Sequence, residues 1–118
     1  MPNIQSRWRK AMDYGNIGEI PDDVIGIYSF WCRGRCLYVG KAEDQSIRVR
    51  VGQEYHDSHN DNLKLWIKLF PQYLEICYLT VPYDKIHEVD RLETKLIRLW
   101  NPETNKNKQR KKTKRSTK

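Results

Sequence analysis

Two short segments rich in β-branched and aromatic residues, 24–31 and 36–40, lie on either side of a turn-like Arg33-Gly34-Arg35. This pattern predicts a β-hairpin. Because side chains alternate between the two faces of a strand, Tyr28 and Tyr38 would share a face, across from each other, if the loop has an odd length. An even loop would separate the two tyrosines.

Beyond the hairpin the apolar residues recur at helical spacing. Ile47, Val51 and Tyr55 are each four residues apart and predict a short helix, with Ser46 or Asp44 as its N-cap. The polar stretch 55–62 that follows has the composition of a loop.

The second half of the chain contains three more predicted elements. A core helix over 63–70 is stopped by Pro71, a third strand spans 73–81, and a last helix spans 84–100. Taken together, the elements predict an α/β (α+β) domain. Its small, three-stranded, mainly antiparallel sheet would contain the N-terminal β-hairpin and be flanked by about three helices.

Glu93 lies within the apolar face of the last predicted helix. Burying an unpaired carboxylate is costly, so the group must be neutralised, pair with a cation or bind a metal. A salt bridge to Arg48, Arg50 or Lys41 would satisfy it without any metal.

The net charge of +7 is concentrated at the C-terminal end. Residues 106–118 hold eight of the 22 cations and no acid, which leaves 14 cations and 15 acids elsewhere. We expect one folded domain at 24–105, an N-terminal extension at 1–23, and a basic disordered tail at 106–118 that is attracted to phosphates. The tail residues predicted to bind nucleic acid are Lys108, Arg110, Lys111, Lys112, Lys114 and Arg115. A tail that only aids solubility or localisation is the alternative.

Other classes of protein are disfavoured. No run approaches 18 apolar residues, and the polar, basic N-terminus lacks the apolar core of a signal peptide. We therefore expect an intracellular protein, cytoplasmic or nucleoid-associated, with no membrane partner. The three cysteines suit reduced thiols better than a disulfide framework or a zinc site.

Several motifs occur in order along these predicted elements. Gly26-Ile27-Tyr28 and Tyr38-Val39-Gly40 lie on the hairpin, Lys41 follows, an arginine helix comes next, and Glu93 precedes Pro102 and Asn105. This set resembles the GIY-YIG nuclease superfamily over about residues 24–107. The spacing is most similar to that of the N-terminal catalytic domain of bacterial excision-repair endonucleases, since a lysine comes three residues after the second tyrosine and an asparagine twelve after the glutamate.

The resemblance implies hydrolysis of a phosphodiester with one divalent ion, Mg²⁺ or Mn²⁺. Tyr28 would be the general base or the relay to it, and Tyr38 would orient the water or the phosphate. An isolated phenol titrates near ~10, so Lys41, Arg50 and the metal would have to acidify it. The arginine would also stabilise charge on the phosphoryl oxygens.

The same resemblance assigns the metal to Glu93. Asn105 would fix the geometry of the site or contact the phosphate.

Two departures from the family pattern concern the arginine helix. Counting from Gly40 without gaps selects Arg48, whereas the flanking apolar residues select Arg50, which we prefer. The family also carries a His or Tyr one turn beyond its arginine.

At that point this chain has Gly52 or Glu54, while Tyr55, His56 and His59 follow slightly later. Tyr55 or His56 would fill the role if the helix end is shifted. Otherwise the role is absent.

The sequence thus predicts a DNA endonuclease acting in a DNA repair, recombination, mobile-element or phage context. Its target would be chosen by loops, by the tail, by a targeting protein or by homodimer formation, and a dimeric restriction endonuclease is one variant of this prediction. The alternative is a catalytically impaired nucleic-acid-binding module with the same fold. That module would bind DNA through the basic tail without cutting it.

Overall fold

A computed structural model of the protein describes residues 14–105. The first 13 residues of the predicted N-terminal extension lie outside this range. So does the basic tail at 106–118, together with its six predicted nucleic-acid-binding cations.

The fold is built on a three-stranded antiparallel sheet in the order β2-β1-β3. The strands are β1 (Ile25–Cys32), β2 (Arg35–Ala42) and β3 (Leu74–Val81). The apolar first segment forms the central strand, where burial on both faces suits its β-branched and aromatic residues. The predicted hairpin, third strand and α+β class are confirmed.

The hairpin loop has an even length. Only Arg33 and Gly34 connect the strands, with φ of 51° and 80°. Two consecutive positive φ values give the backbone twist that matches a tight hairpin. In a regular ladder, a loop of this length would place Tyr28 and Tyr38 on opposite faces.

A β-bulge changes that outcome. Phe30 pairs with Tyr38, but the next residue, Trp31, pairs with Cys36, so Leu37 is an extra residue in β2. One extra residue shifts the side-chain alternation of everything beyond it. The bulge therefore moves Tyr38 onto the face that carries Phe30.

Tyr28 occupies the same face, two residues before Phe30 in β1. It pairs directly with Gly40, which makes Tyr38 its diagonal neighbour. The centroids of the two tyrosine rings are 6.2 Å apart. The expectation that an even loop would separate the tyrosines is therefore wrong for this chain, because the bulge restores their proximity.

Three helices flank the sheet, and several of their boundaries differ from the prediction. They are α1 (Ile47–Asp57), α2 (Asp61–Leu69) and α3 (Val89–Trp100). Ser46, one of the two predicted N-caps, caps α1 by accepting a hydrogen bond from the Val49 amide at 3.2 Å. The predicted loop at 55–62 shrinks to 58–60, because α1 continues to Asp57 and α2 begins at Asp61.

The last helix begins five residues later than predicted. A 3-10 helix, Tyr83–Glu88, precedes α3, and Lys85 has the non-helical φ and ψ of −114° and 19°. The apolar face is also narrower than expected, since Ile86 and Leu99 are 37% and 56% exposed.

The core is divided between the two faces of the sheet. On one face Tyr28 and Phe30 pack with Ile47, Val51 and Leu63 from α1 and α2. On the other face Ile27 and Val39 pack with Val89, Leu96 and Ile97 from α3. Within residues 14–105, no helix has the length and apolar composition needed to cross a lipid bilayer.

Candidate active site

The glycines of the two motif triplets make room for close contacts. A Cβ on Gly40 would lie 2.4 Å from Cζ and 2.5 Å from the hydroxyl oxygen of Tyr28, so the tyrosine ring covers this glycine. Gly26 has a φ of 147°, and a Cβ there would lie 2.0 Å from the Leu79 carbonyl oxygen. The first contact positions a tyrosine ring, and the second lets β3 approach β1.

The Tyr28 hydroxyl is the centre of a buried hydrogen-bond network. It donates to Glu54 Oε2 at 2.6 Å and accepts from Arg50 Nη2 at 3.3 Å. Arg50 Nη2 also lies 3.6 Å from Glu54 Oε2. Ser58 Oγ donates to the other carboxylate oxygen of Glu54 at 2.7 Å. The network joins β1 to α1.

Tyr38 lies beside this network and is only half-buried. Its pKa is raised, first because of burial and then because of the negative charges of Glu54 and Glu93. A hydrogen bond with Tyr28 and the charge of Arg50 act in the opposite direction.

The pKa of Tyr28 is also raised well above its ordinary value, chiefly by burial. Arg50 lowers the pKa of both phenols, but burial and the carboxylates outweigh it. Without a metal ion, the pKa of each phenol therefore stays above its ordinary value in spite of Arg50.

The two candidate arginines point to different places. Arg50 reaches Tyr28, whereas Arg48 Nη1 lies 3.9 Å from Asp22 Oδ2, and its guanidinium lies next to Gly18 in the preceding 3-10 helix. Two residues along a helix turn a side chain by about 200°, so only one of the pair can face the sheet. The structure brings Arg50 to the tyrosines and not Arg48.

Lys41 is held by two carboxylates. Its Nζ lies 2.6 Å from Asp90 Oδ1 and 3.2 Å from Glu43 Oε1. The hydrogen bond to Asp90 is the largest cause that raises the pKa of the lysine, so it stays protonated. Sequence reasoning missed Asp90, although its position three residues before Glu93 on the same helix marked it as a neighbour.

Glu93 is half-buried on α3. This helix packs on the other face of the sheet, yet the glutamate's charge acts on Tyr38. Within the described range of the chain, no three His, Cys, Asp or Glu residues come together as a metal cage. A single carboxylate fits an ion such as Mg²⁺, which keeps several of its water ligands.

Asn105 belongs to a short segment that follows the outer edge of β2. Its Oδ1 accepts from the Val39 amide at 2.9 Å, and its Nδ2 lies 3.4 Å from the Val39 carbonyl. The Thr104 amide donates to the Leu37 carbonyl at 2.7 Å. The side chain of Asn105 therefore fixes the backbone next to Tyr38.

The predicted substitutes for the family's His or Tyr lie elsewhere. Tyr55 packs on Phe30 with ring centroids 6.0 Å apart, and His56 is exposed near the end of α1. The position one turn after Arg50 is held by Glu54, which sequence reasoning did not place in the site. Its spacing of four residues from Arg50 was the available signal.

No protein-family model matches the chain, and no curated protein sequence matches it. Solved structures do match. One is the GIY-YIG N-terminal endonuclease domain of UvrC from Thermotoga maritima bound to its catalytic divalent cation, magnesium. It has a TM-score of 0.57 and 25% identity, covering 77% of this chain and 92% of that domain.

Two point mutants of the same Thermotoga maritima domain, both bound to the catalytic divalent cation, are similar to the chain as well. A tyrosine-to-phenylalanine mutant has a TM-score of 0.56 and 24% identity over 77% of this chain and 91% of that one. An asparagine-to-alanine mutant has a TM-score of 0.55 and 24% identity over 76% and 90%. The protein therefore has a GIY-YIG-like α+β fold that matches a nuclease domain.

Proposed function

We propose that the protein is a metal-dependent endonuclease that hydrolyses DNA phosphodiester bonds. The observation that carries this proposal is the meeting of Tyr28, Tyr38 and Arg50, from three separate elements, in one cluster that the charge of Glu93 also reaches. The similarity to a nuclease domain that binds a catalytic divalent cation supports it.

The two tyrosines have different roles in this proposal. Tyr28 is fully buried and its hydroxyl donates a hydrogen bond to Glu54, so it orients its neighbours and relays protons. Tyr38 is half-buried, and its phenol is the one that an attacking water can contact. A general base must be within hydrogen-bond reach of the proton it removes, which favours Tyr38 for that step.

Glu93 is the residue that would hold the ion. When bound, one Mg²⁺ or Mn²⁺ supplies positive charge that polarises the phosphate and lowers the pKa of nearby acids. Such a charge would oppose the burial and the carboxylates that now raise the pKa of Tyr38. The activity of the site is therefore tied to divalent cations.

Arg50 would donate to the phosphoryl oxygens as negative charge builds on them. It is partly exposed, so a phosphate can reach it, and its Nη1 donates to Gln53 at 3.0 Å, which helps to hold it. Lys41 shares its charge with Asp90 and Glu43, so it positions α3 against β2. Cations of the tail at 106–118 would add affinity for the DNA backbone.

The decisive experiment incubates the protein with plasmid and branched DNA in Mg²⁺ and follows nicking or cutting on gels. Glu93→Gln should lose at least roughly a hundredfold in rate, since a ligand of the catalytic ion is removed. Glu75→Gln is the matched control, because Glu75 is an exposed carboxylate at the far end of β3. A Glu93→Gln variant that cuts at the wild-type rate refutes the proposal.

The arginines provide a second matched pair. Arg50→Gln should lower the cleavage rate by roughly 10²–10³, whereas Arg48→Gln should leave it near the wild-type value. Both positions lie on the same helix and both changes remove one positive charge. Equal losses in the two variants would point to general DNA affinity as the role of these arginines.

A non-cleaving nucleic-acid-binding module is the second candidate. One observation favours it: Glu54 lies where the resembling family carries His or Tyr, and it offsets the charge of Arg50. Such a module would bind DNA with a salt dependence that weakens when residues 106–118 are deleted. It would show no Mg²⁺-dependent cleavage of any substrate.

A further inference from the structure

Glu54 is a buried carboxylate, only 5% exposed. An isolated charge at such a position is strongly destabilising, so its partners must compensate it. Both oxygens are satisfied: Oε2 accepts from Tyr28 at 2.6 Å and faces Arg50 at 3.6 Å, and Oε1 accepts from Ser58 at 2.7 Å. This side chain is held in one orientation from both sides.

The chemistry of a carboxylate fixes the direction of the hydrogen bond to Tyr28. An ionised carboxylate only accepts hydrogen bonds, so the proton of Tyr28 must point toward Glu54. The lone pairs of the Tyr28 oxygen are then left to accept from Arg50 Nη2, at 3.3 Å. A His or Tyr in place of Glu54 would impose no such direction, because each can both donate and accept.

The same carboxylate also orients Arg50. The guanidinium is drawn toward the buried end of Tyr28 by Glu54, while Gln53 holds its other nitrogen. Charge-assisted contacts of this kind are stronger and more directional than neutral ones. Arg50 is therefore fixed beside the tyrosines.

We infer that Glu54 is a positioning residue of the proposed nuclease, which orients the Tyr28 hydroxyl and the Arg50 guanidinium in place of the family's His or Tyr. The inference rests on the proposed function. Glu54 contacts the cluster through Tyr28 and Arg50, so it acts on the reaction through them and not on the substrate itself.

The test compares Glu54→Gln, Glu54→Ala and Glu54→His in the full chain, with Glu75→Gln as the control for loss of a carboxylate. Single-turnover cleavage is measured in Mg²⁺ at saturating DNA, and DNA affinity is measured separately in EDTA by fluorescence anisotropy. Glu54→Gln should cleave roughly 10–100 times more slowly, as is typical for loss of a partner that orients site residues. Its DNA affinity should stay within about twofold, since no DNA contact is removed.

Rescue separates positioning from a purely structural role. Glu54→His should cleave at least about ten times faster than Glu54→Ala, because imidazole can again accept from Tyr28. Thermal unfolding of each variant gives its folded fraction at the assay temperature. If Glu54→Ala fails to fold, Glu54→Gln still tests the inference, because glutamine has nearly the same shape as glutamate. Losses of activity that only follow the folded fraction overturn the inference.

A readout independent of cleavage uses tyrosine labelled with ¹³C at Cζ. The Cζ chemical shift of Tyr28, assigned with Tyr28→Phe, should change in Glu54→Gln and stay the same in Glu75→Gln. An unchanged chemical shift in Glu54→Gln overturns the inference. If the wild type cleaves DNA, and folded Glu54→Gln and Glu54→Ala cleave it as fast as the wild type does, only the role of Glu54 fails. If the wild type cleaves nothing, the proposed function fails and the role of Glu54 fails with it.

Discussion

Replacing Gly40 by alanine tests whether the motif Tyr38-Val39-Gly40 needs a glycine because the Tyr28 ring lies against it. The new methyl group would lie 2.4 Å from Tyr28 Cζ, about 1 Å closer than ordinary van der Waals contact allows. The ring is fully buried and is packed in the core among residues such as Phe30 and Val51. The ring must move away from Gly40, and its hydroxyl moves with it, which disturbs the hydrogen bond to Glu54.

The expected loss of stability has two parts. Overpacking a core by one methyl group costs typically about 1–3 kcal/mol. Weakening the 2.6 Å hydrogen bond between Tyr28 and the Glu54 carboxylate adds roughly 1–3 kcal/mol. We expect Gly40→Ala to be less stable by at least ~2 kcal/mol, which lowers Tm by roughly 8–16 °C for a domain of this size.

Gly52→Ala is the matched control. Nothing lies within 4 Å of a Cβ at Gly52, which sits inside α1. An alanine in a helix interior is more favourable than glycine by roughly 0.5–1 kcal/mol, so this variant should be slightly more stable than the wild type.

Urea unfolding followed by circular dichroism measures both variants on one scale. Cleavage by folded Gly40→Ala should also fall, because the Tyr28 hydroxyl is displaced from Arg50 and Glu54. A Gly40→Ala protein that matches the wild type within about 0.5 kcal/mol, with unchanged activity, would refute this account of the motif.

Two further predictions follow from the raised pKa values. The phenols of Tyr28 and Tyr38 ionise near pH ~10 in the unfolded chain but only at a higher pH in the folded protein. The free energy of unfolding should therefore fall as pH rises above ~10, by up to ~1.4 kcal/mol per pH unit for each group. In Tyr28→Phe that fall should be shallower between pH 10 and 11, as measured by urea unfolding; an unchanged slope would contradict the burial argument. Burial raises the pKa of Cys36 to about 12 and of Cys77 to about 11. At pH 8 their thiolate fractions are roughly 10⁻⁴ and 10⁻³, so both should react with a thiol reagent at least about a hundredfold more slowly than in urea, and fast labelling of all three cysteines in the native protein would be evidence against this.

Local signals in the sequence were sufficient for most of the fold. The β-branched and aromatic runs identified all three strands, and apolar residues at helical spacing identified the three helices. Ser46 was recognisable as a cap because capping depends on a residue and its next few neighbours only. The start of α3 was placed too early, since Ile86 fits the helical period although its segment forms a 3-10 helix.

The site shows where local information ends. The family resemblance selected Tyr28 and Tyr38, the apolar face of the last helix had already singled out Glu93, and flanking apolar residues favoured Arg50 over Arg48. Spacing did not reveal that Leu37 forms a bulge, because the pairing register depends on how both strands pack on the helices.

The sequence by itself determined the elements and their order, because these follow from composition and periodicity along the chain, while the resemblance to a known family singled out the motif residues. Only the tertiary structure decided the partners of the charged groups. Lys41 is held by Asp90, and Tyr28 donates to Glu54, across separations of 49 and 26 residues. Burial and short-range charge contacts are properties of the folded chain, so the carboxylate that accepts from Tyr28 is brought to it only by the packing of α1 against β1.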